Sequence, residues 1–388
     1  MSPTTTTDAP TSVSPARPRR SLRTAVWALV GLLLVVYVGL GLAGYVYSSE
    51  LLEPTGEQAV TDDLQVRVQG GLIELPRTEV SALDGVWGVM WPEGYGQALD
   101  VLDTGPDRVV RVYRRYEGVP DEGQLVRLDP YAFPGDPQEA YGVGFEDVTF
   151  DTDLGPMPAW RIPGRDDTWA IFVHGRGGDR REGLRVLPSL LQLGLPTLLI
   201  AYRNDPGAPT SDDGHHTLGA TEWRDLEGAV RYALDQGARD VVLVGSDMGG
   251  QIAATFVHES ELADRVRALV LDAPTLDWDA VLRAQAERRG RPGFLSGPAR
   301  IISALRAGID WSVLDQVGHA DEFDLPILLF HGTADEQVPI SSSDRFAAAV
   351  GEEVTYVRVE AAPHNAAWNV DPGAYQAAVE DFLRPASG

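Results

Sequence analysis

From about residue 145 the chain alternates short, continuously apolar runs with amphipathic stretches. The runs are Trp169–Val173, Thr197–Ala201, Asp240–Val244, Ala268–Leu271, Ile327–Phe330 and Val354–Val359. They have the length of strands, and their apolar content suits strands covered on both faces. Helical spacing falls between them, at Arg180–Leu193, Gly219–Gln236, Gly249–His258, Asp344–Val350 and Pro372–Leu383. This alternation predicts an α/β domain whose doubly wound, mostly parallel sheet has helices on both sides. Phe145–Phe150 and Met157–Ile162 read as a strand pair leading into it.

A second constraint lies near the N-terminus. Thr24–Tyr47 holds no charged residue. Twenty-four helical residues span about 36 Å, enough for a hydrocarbon core of about 30 Å. Trp27 stands near one end and Tyr45 and Tyr47 at the other, as interfacial aromatics do. The run is longer than the apolar core of a signal peptide, and no small-x-small cleavage site follows, so an uncleaved transmembrane helix at 24–47 is expected. Residues 1–23 are rich in Ser, Thr and Pro and read as a disordered tail. That tail ends in Arg17, Arg19, Arg20 and Arg23, whereas Glu50, Glu53 and Glu57 follow the helix. The asymmetry predicts a cytoplasmic N-terminus in a single-pass cell-membrane protein, with everything after residue 47 extracytoplasmic.

Residues 48–63 read as a polar linker and 64–144 as an accessory β segment. Strands are expected there at Leu64–Val68, Val109–Arg115 and Gln124–Leu128, with Trp87, Trp91 and Tyr95 among the turns as a small local core. No motif in that segment carries evident chemistry. The α/β domain then occupies 145–388, with a short cap at about 275–322. Net charge is −25, which argues against nucleic acid as a partner. The chain has no cysteine, which excludes thiolate catalysis, iron–sulfur ligation and cysteine zinc sites. His215 and His216 are adjacent but lack a spaced third ligand, so no metal is expected, nor any cofactor.

In an open α/β sheet the chemistry collects at the carboxyl ends of strands. After Val241–Val244 comes Gly245-Ser246-Asp247-Met248-Gly249-Gly250, a strand, tight turn and helix of the kind that raises a nucleophile above a sheet. After Ile171–Val173 comes His174-Gly175-Arg176-Gly177-Gly178, a loop able to aim a backbone N–H at an oxyanion. After Leu328–Phe330 comes His331-Gly332-Thr333-Ala334-Asp335, and after Val357–Val359 comes Ala361-Ala362-Pro363-His364. The order is elbow, acid, histidine.

Over residues 145–384 these four motifs resemble the α/β-hydrolase family. The chain is most similar to the membrane-anchored bacterial serine hydrolases of that fold. It shares with them Tyr202-Arg203-Asn204-Asp205, Gly219–Asp225 and a His followed by Trp368–Pro372. The resemblance implies hydrolysis of a small organic substrate. It also implies His364 as base, Asp335 as its orienting acid, and the N–H groups of Met248 and Arg176 as the oxyanion site.

One position departs from that family. With Gly245 and Gly249 flanking the elbow, the nucleophile position is 247, and it holds Asp247 rather than Ser. Ser246 precedes it, where a side chain leaves the turn in another direction. Three readings stand open. Asp247 is itself the nucleophile, as in the haloalkane dehalogenases and epoxide hydrolases this arrangement resembles. It would then form an alkyl ester that water, activated by His364, cleaves. Or the chain has lost its nucleophile and is a binding module, since carboxylate attack on an acyl ester leads to an unfavourable mixed anhydride. Or Ser246 acts through a shifted turn. Met248 stands where those Asp-dependent families carry Trp, and the cap holds Trp278 and Trp311 but no Tyr. Asp272 is a possible alternative acid. His174 and His331 read as loop-packing groups. The Arg176 side chain reads as an anion attractant or a solvated group.

Overall fold

The computed structural model describes residues 22–54 and 64–385. The expected cytoplasmic tail, apart from its last two residues, and most of the expected linker lie outside the described residues, as do Arg17, Arg19, Arg20 and Glu57. The first element, α1, runs Leu22–Leu52 and is long and apolar enough to cross a membrane. It continues past Tyr47 into the expected linker because Tyr47, Ser48, Leu51 and Leu52 are buried against the rest of the chain.

The accessory segment is a seven-stranded antiparallel sheet. Its strands are β1 (Leu64–Gln65), β2 (Arg67–Gln69), β3 (Leu72–Pro76), β4 (Trp87–Trp91), β5 (Gly94–Thr104), β6 (Arg108–Glu117) and β7 (Leu125–Asp129), in spatial order 1-7-4-5-6-3-2. Trp87, Trp91 and Tyr95 therefore lie in strands, not turns. Trp87 and Trp91 pack with Ile73, Leu75, Val89 and Val126 in that sheet's own core. Glycines at 88, 94 and 96 disguised β4 and β5, because Gly usually marks a turn.

A short helix, α2 (Pro137–Tyr141), leads to the second sheet. In chain order come β8 (Glu146–Thr152), β9 (Gly155–Ile162), β10 (Thr168–Val173), α3 (Leu187–Leu193), β11 (Thr197–Ile200), α4 (Trp223–Asp235), β12 (Asp240–Ser246), α5 (Met248–Glu259) and β13 (Val266–Asp272). The cap helices α6 (Trp278–Arg288) and α7 (Ser296–Ala307) follow. Then come β14 (Ile327–Gly332), α8 (Ile340–Val350), β15 (Val354–Val359), α9 (Ala367–Val370) and α10 (Pro372–Leu383). The spatial order is 15-14-13-12-10-11-9-8, with β10 to β15 parallel and β8 and β9 antiparallel. Strand alternation feeds two cores. Ile171, Leu243 and Leu269 face α4 and α5, and Phe172, Val244 and Val270 face α3 and α10. The chain winds outward from β10 in both directions. The ends of β10 and β12 thus meet at the point where strand order reverses, the usual place for a site.

The two sheets are tied by backbone satisfaction. Asn369 Nδ2 donates to the carbonyls of Val86 (2.8 Å) and Pro130 (2.7 Å), and Val86 N–H donates to the Asn369 carbonyl (2.8 Å). Arg111, fully buried between strands, donates to the carbonyls of Leu99, Ser81, Leu83 and Gly85 at 2.6–2.9 Å. Those bonds hold the 81–86 loop against Asn369. Arg111→Met keeps the volume but strands the buried Ser81 carbonyl and three part-buried ones, a buried acceptor left unpaired costing about 1–3 kcal/mol. Denaturant titration of the full chain should therefore register a loss of about 3 kcal/mol or more; an unchanged midpoint would contradict this role.

Candidate active site

The elbow is built by backbone geometry. Strand β12 ends at Ser246, α5 begins at Met248, and Asp247 between them has φ 47° and ψ −115°. A non-glycine residue in that region carries roughly 1–3 kcal/mol of strain. The turn is so tight that a Cβ on Gly249 would collide with the carbonyl oxygens of Val173 and His174. The strained residue is held by Asp247 N–H donating to Asp272 O (2.9 Å) and by the Gly250 and Thr275 amides donating to Asp247 O.

The Asp247 side chain, 13% exposed, divides its oxygens between two partners. Oδ2 accepts the Arg176 N–H at 2.9 Å, and the Met248 amide is near enough to favour the charged carboxylate. Oδ1 lies 3.6 Å from His364 Nε2. Burial pushes the Asp247 pKa up, and the His364 charge and these amides oppose the rise.

His364 follows β15, and its Nδ1 bonds Asp335 Oδ2 at 2.8 Å. Asp335, in the turn after β14, has a fully buried side chain. Its Oδ1 accepts the amides of Gln337 (2.8 Å) and Val338 (2.9 Å), so one oxygen caps its loop while the other orients the histidine. His331 Nε2 lies 3.3 Å from the same Oδ2, and His331 Nδ1 bonds Ser343 Oγ at 2.7 Å. Burial opposes ionisation of Asp335, but His364 and His331 outweigh it and hold the carboxyl well below its usual range. Burial likewise opposes charge on His364, yet Asp335 and then Asp247 raise its pKa to about 9. The ring thus lies between two carboxyl groups, both of which favour its charged form.

Behind the oxyanion loop lies a network that sequence reasoning missed. Glu182, 1% exposed, accepts the Gly175 N–H (2.8 Å) and an Arg185 Nη2–H (2.9 Å) and also bonds Asn365. Arg185 donates on to Asn365 O and to Asn369 Oδ1. The loop bearing Arg176 and the loop bearing His364 are thus fixed to one buried ion pair. The only sequence signal was an acid and a base three apart in an otherwise helical stretch.

A cleft of about 170 Å³ opens above Asp247 and His364. Trp278, Val281 and Gln285 of α6 form one wall, and Asp129 at the end of β7, with Pro130 and Tyr131 after it, forms another. The accessory sheet therefore contributes to the site, which its sequence did not suggest. Tyr131 is a phenol in this cleft. Burial, with Glu182 and Asp179 nearby, pushes its pKa up, so it stays protonated.

The remaining candidates fall elsewhere. Ser246 is a buried strand residue, and among the described hydrogen bonds none joins it to His364. Asp272 is buried with its pKa raised to about 6 by desolvation, and its Oδ1 has no hydrogen-bond partner. His174 stacks on Tyr202 and bonds Asp205 at 2.8 Å, a packing role. His215 faces Asp213 (3.2 Å) and His216 faces Glu222 (3.7 Å), so the two rings serve different carboxylates. The half-buried Arg176 guanidinium is engaged by backbone rather than left free. Its Nη2 donates to the carbonyls of Glu50 and Leu51 (both 2.9 Å), at the end of α1. His258, His319 and Glu322 have metal-ligand potential. They lie at the far end of α5, about 16 Å along the helix from the elbow. Their two rings stack face to face.

Comparison with known proteins follows this geometry. Residues 168–298 match the family model described as alpha/beta hydrolase fold, and residues 64–129 match a domain of unknown function. An uncharacterized protein of Bacillus subtilis, YqkD, is 23% identical over 219 residues, 55% of this chain and 70% of that protein. Two crystal forms of the Pyrococcus furiosus esterase Pf2001 superpose with TM-scores of 0.52 and 0.53, at 19% and 20% identity. Each superposition covers 65% of this chain, and 95% and 96% of the esterase.

The arrangement makes His364 a reporter of charge at position 247. Asp247→Asn keeps the shape and removes one of the two carboxylates that raise the histidine. The His364 pKa, followed by ¹³C-labelled histidine NMR, should fall from about 9 toward the ordinary value of about 6.5. An unmoved titration would mean that Asp247 and His364 are not electrostatically coupled.

Proposed function

We propose that this chain, a protein of the α/β-hydrolase fold, is a membrane-anchored hydrolase that uses Asp247 as its nucleophile. One observation carries the reading: the Arg176 N–H holds Asp247 Oδ2, with the Met248 amide nearby, while Oδ1 is left facing His364 and the cleft. In a serine enzyme those N–H groups would wait for the substrate's carbonyl oxygen. Here the enzyme's own carboxylate fills them. That favours attack on an sp³ carbon over acyl transfer.

The chemistry balances as follows. Asp247 Oδ1 attacks the substrate carbon. The carbon–leaving-group bond breaks, and the leaving group departs with the electron pair. An alkyl ester of Asp247 remains. Esterification removes one of the two negative charges that raise the His364 pKa, so the ring releases its proton to solvent, where it balances the departed X⁻, and becomes a base. Nε2 takes a proton from water, and the water oxygen adds to Cγ of Asp247. The negative charge then develops on Oδ2, beside the N–H groups of Arg176 and Met248. Collapse expels the alcohol, which receives the proton from His364, and the proton left on the Asp247 carboxyl passes to His364, restoring the starting state. Asp335 keeps the ring oriented throughout. The net reaction is R–X plus water to R–OH plus HX. An epoxide would open in the same way, its ring oxygen staying attached as an alkoxide that takes the proton His364 releases, so that the net reaction is epoxide plus water to diol. The volume of about 170 Å³ suits a small organic substrate.

The anchor reading draws support from the end of α1. The last four carbonyls of a helix lack internal partners. Here Arg176 takes those of Glu50 and Leu51, and the His216 N–H takes that of Leu52 (2.9 Å). Tyr47 Oη also donates to Leu282 O at 2.7 Å. Cleavage after the apolar run would discard most of a helix that the domain is built to hold. Positive-inside charge then favours a cytoplasmic N-terminus and an extracytoplasmic hydrolase domain.

Two experiments test the reading. In His364→Gln the second step should stall. Mass mapping after incubation with haloalkanes and epoxides should locate an alkyl adduct on Asp247. An adduct on Ser246 would overturn the assignment of nucleophile, and none with any substrate class, in folded protein, would favour a non-catalytic module. In Asp247→Ser the N–H pair is vacated beside an intact His364–Asp335 pair, so activated esters should be hydrolysed measurably faster than by the parent chain. No gain would mean that the oxyanion site depends on the carboxylate that fills it.

A further inference from the structure

The cap carries a surface that the proposed chemistry does not use. Helix α7 packs along the C-terminal third of α1. The fit is close: a Cβ on Gly44 would lie 2.9 Å from Ile302 Cδ1 and 3.0 Å from Pro298. Arg306, one turn on from Ile302, donates to Ser48 Oγ (2.7 Å) and Ser49 Oγ (2.8 Å) and lies over the Tyr45 ring. Pro298, Ile302 and Arg306 thus form the face toward α1. The neighbouring face is open: Ile301 is 64% exposed, Leu305 81%, and Phe294, just before the helix, 68%. Positions 294, 301 and 305 share one side at helical spacing.

The level of this face along α1 says what meets it. From Thr24 to Gly44 is twenty residues, about 30 Å of helix and the thickness of a hydrocarbon core. Contacts at Gly44–Ser49 therefore put α7 where the core gives way to headgroups. The charge agrees. From the start of α6 to the end of α7, residues 278–307 carry six Arg (Arg283, Arg288, Arg289, Arg291, Arg300, Arg306) against Asp279 and Glu287, 6 − 2 = +4, in a chain whose net charge is −25, with Asp279 paired to Arg283 and Arg300. Arg289 and Arg291 pair with Glu50 of α1, which holds them at that same level. Exposed apolar side chains beside clustered arginines are the composition of an interfacial helix on anionic lipid.

We infer that α7 is a membrane-interface helix, which lays Phe294, Ile301 and Leu305 into the bilayer surface beside α1. The cap, and with it the cleft walled by Trp278, Val281 and Gln285, is held against the lipid at two points rather than swinging on one helix. This inference rests on α1 spanning the membrane.

The cysteine-free chain permits a direct test. Single variants Ile301→Cys, Leu305→Cys, Leu33→Cys and Leu102→Cys of the full chain carry an environment-sensitive fluorophore. They are reconstituted into vesicles of phosphatidylcholine and phosphatidylglycerol. Leu102 is an exposed residue of the accessory sheet, and Leu33 is at mid-span. Lipids bearing a nitroxide near the headgroup should quench the probes at 301 and 305 at least twofold more than the probe at 102. A nitroxide deep in the acyl chain should quench the probe at 33. Probes at 301 and 305 that behave like 102, while 33 is quenched, would overturn the interfacial helix and leave the anchor standing. An unquenched probe at 33 would overturn the anchor and this inference with it. Shielded but unquenched probes at 301 and 305, freed by diluting the protein in excess lipid, would identify a second copy of the chain as the occupant and overturn the bilayer.

Discussion

Arg176 is bonded in two opposite directions, and much of the structure depends on that. Its backbone N–H reaches Asp247 in the site, while its guanidinium reaches the final carbonyls of α1. A guanidinium suits the second task because its charge meets the negative end of a helix dipole and its planar donors serve more than one acceptor. The oxyanion loop therefore cannot move without uncapping α1. On its other side the same loop is pinned by Glu182 through the Gly175 N–H. A loop whose role is to present one N–H at a fixed place gains from restraint on both flanks, because misplacement of a donor by a fraction of an ångström weakens the bond steeply.

The same economy governs charge. Asp247, Asp335 and Glu182 are three carboxylates brought close together, opposed by His364 and Arg185. Each anion has a partner or a set of amides, as buried charges require. The site tolerates an acid at the elbow because the His364 charge and the Arg176 and Met248 amides oppose the cost of burying its charge. That inverts the usual problem of a buried carboxylate: its desolvation is offset by the groups that would otherwise serve the transition state. The cost moves to the backbone, where Asp247 sits at a positive φ in a turn closed by Gly249.

The parallel sheet was legible because period and length leave little choice for continuous apolar runs between amphipathic helices. Val354–Val359 and Pro372–Leu383 form as read, to the residue. Asp247, Met248, Arg176, Asp335 and His364 could be placed because strand ends in such a sheet must converge. What escaped was whatever depends on side chains far apart in sequence. Glu182 and Asn365 are ordinary polar residues until the fold joins them. Arg111 looks like a surface cation on a strand, yet it is fully buried among carbonyls. The glycine-rich strands β4 and β5 carried turn signals, and the contribution of Tyr131 to the cleft required knowing that Asn369 clips the two sheets together. The end of α1 escaped for the reverse reason: Ser48 and Ser49 read as solvent-facing, and their partner Arg306 lies over 250 residues away.

The cleft is therefore walled by two parts of the chain that a cut at the sequence-derived boundaries would separate, and a third, α1, holds the loop that carries Arg176. A chain beginning at residue 48 would keep only the last turn of α1. Helical segments that short do not hold themselves in water, and Gly44, Tyr45 and Tyr47, which seat α1 on the cap, would be gone. Arg176 would then lose ordered acceptors, and a buried guanidinium without acceptors is costly enough to reorganise the loop that carries it. The end of α1 is for this reason part of the site's construction: its carbonyls hold the Arg176 side chain in place, and with it the N–H that reaches Asp247.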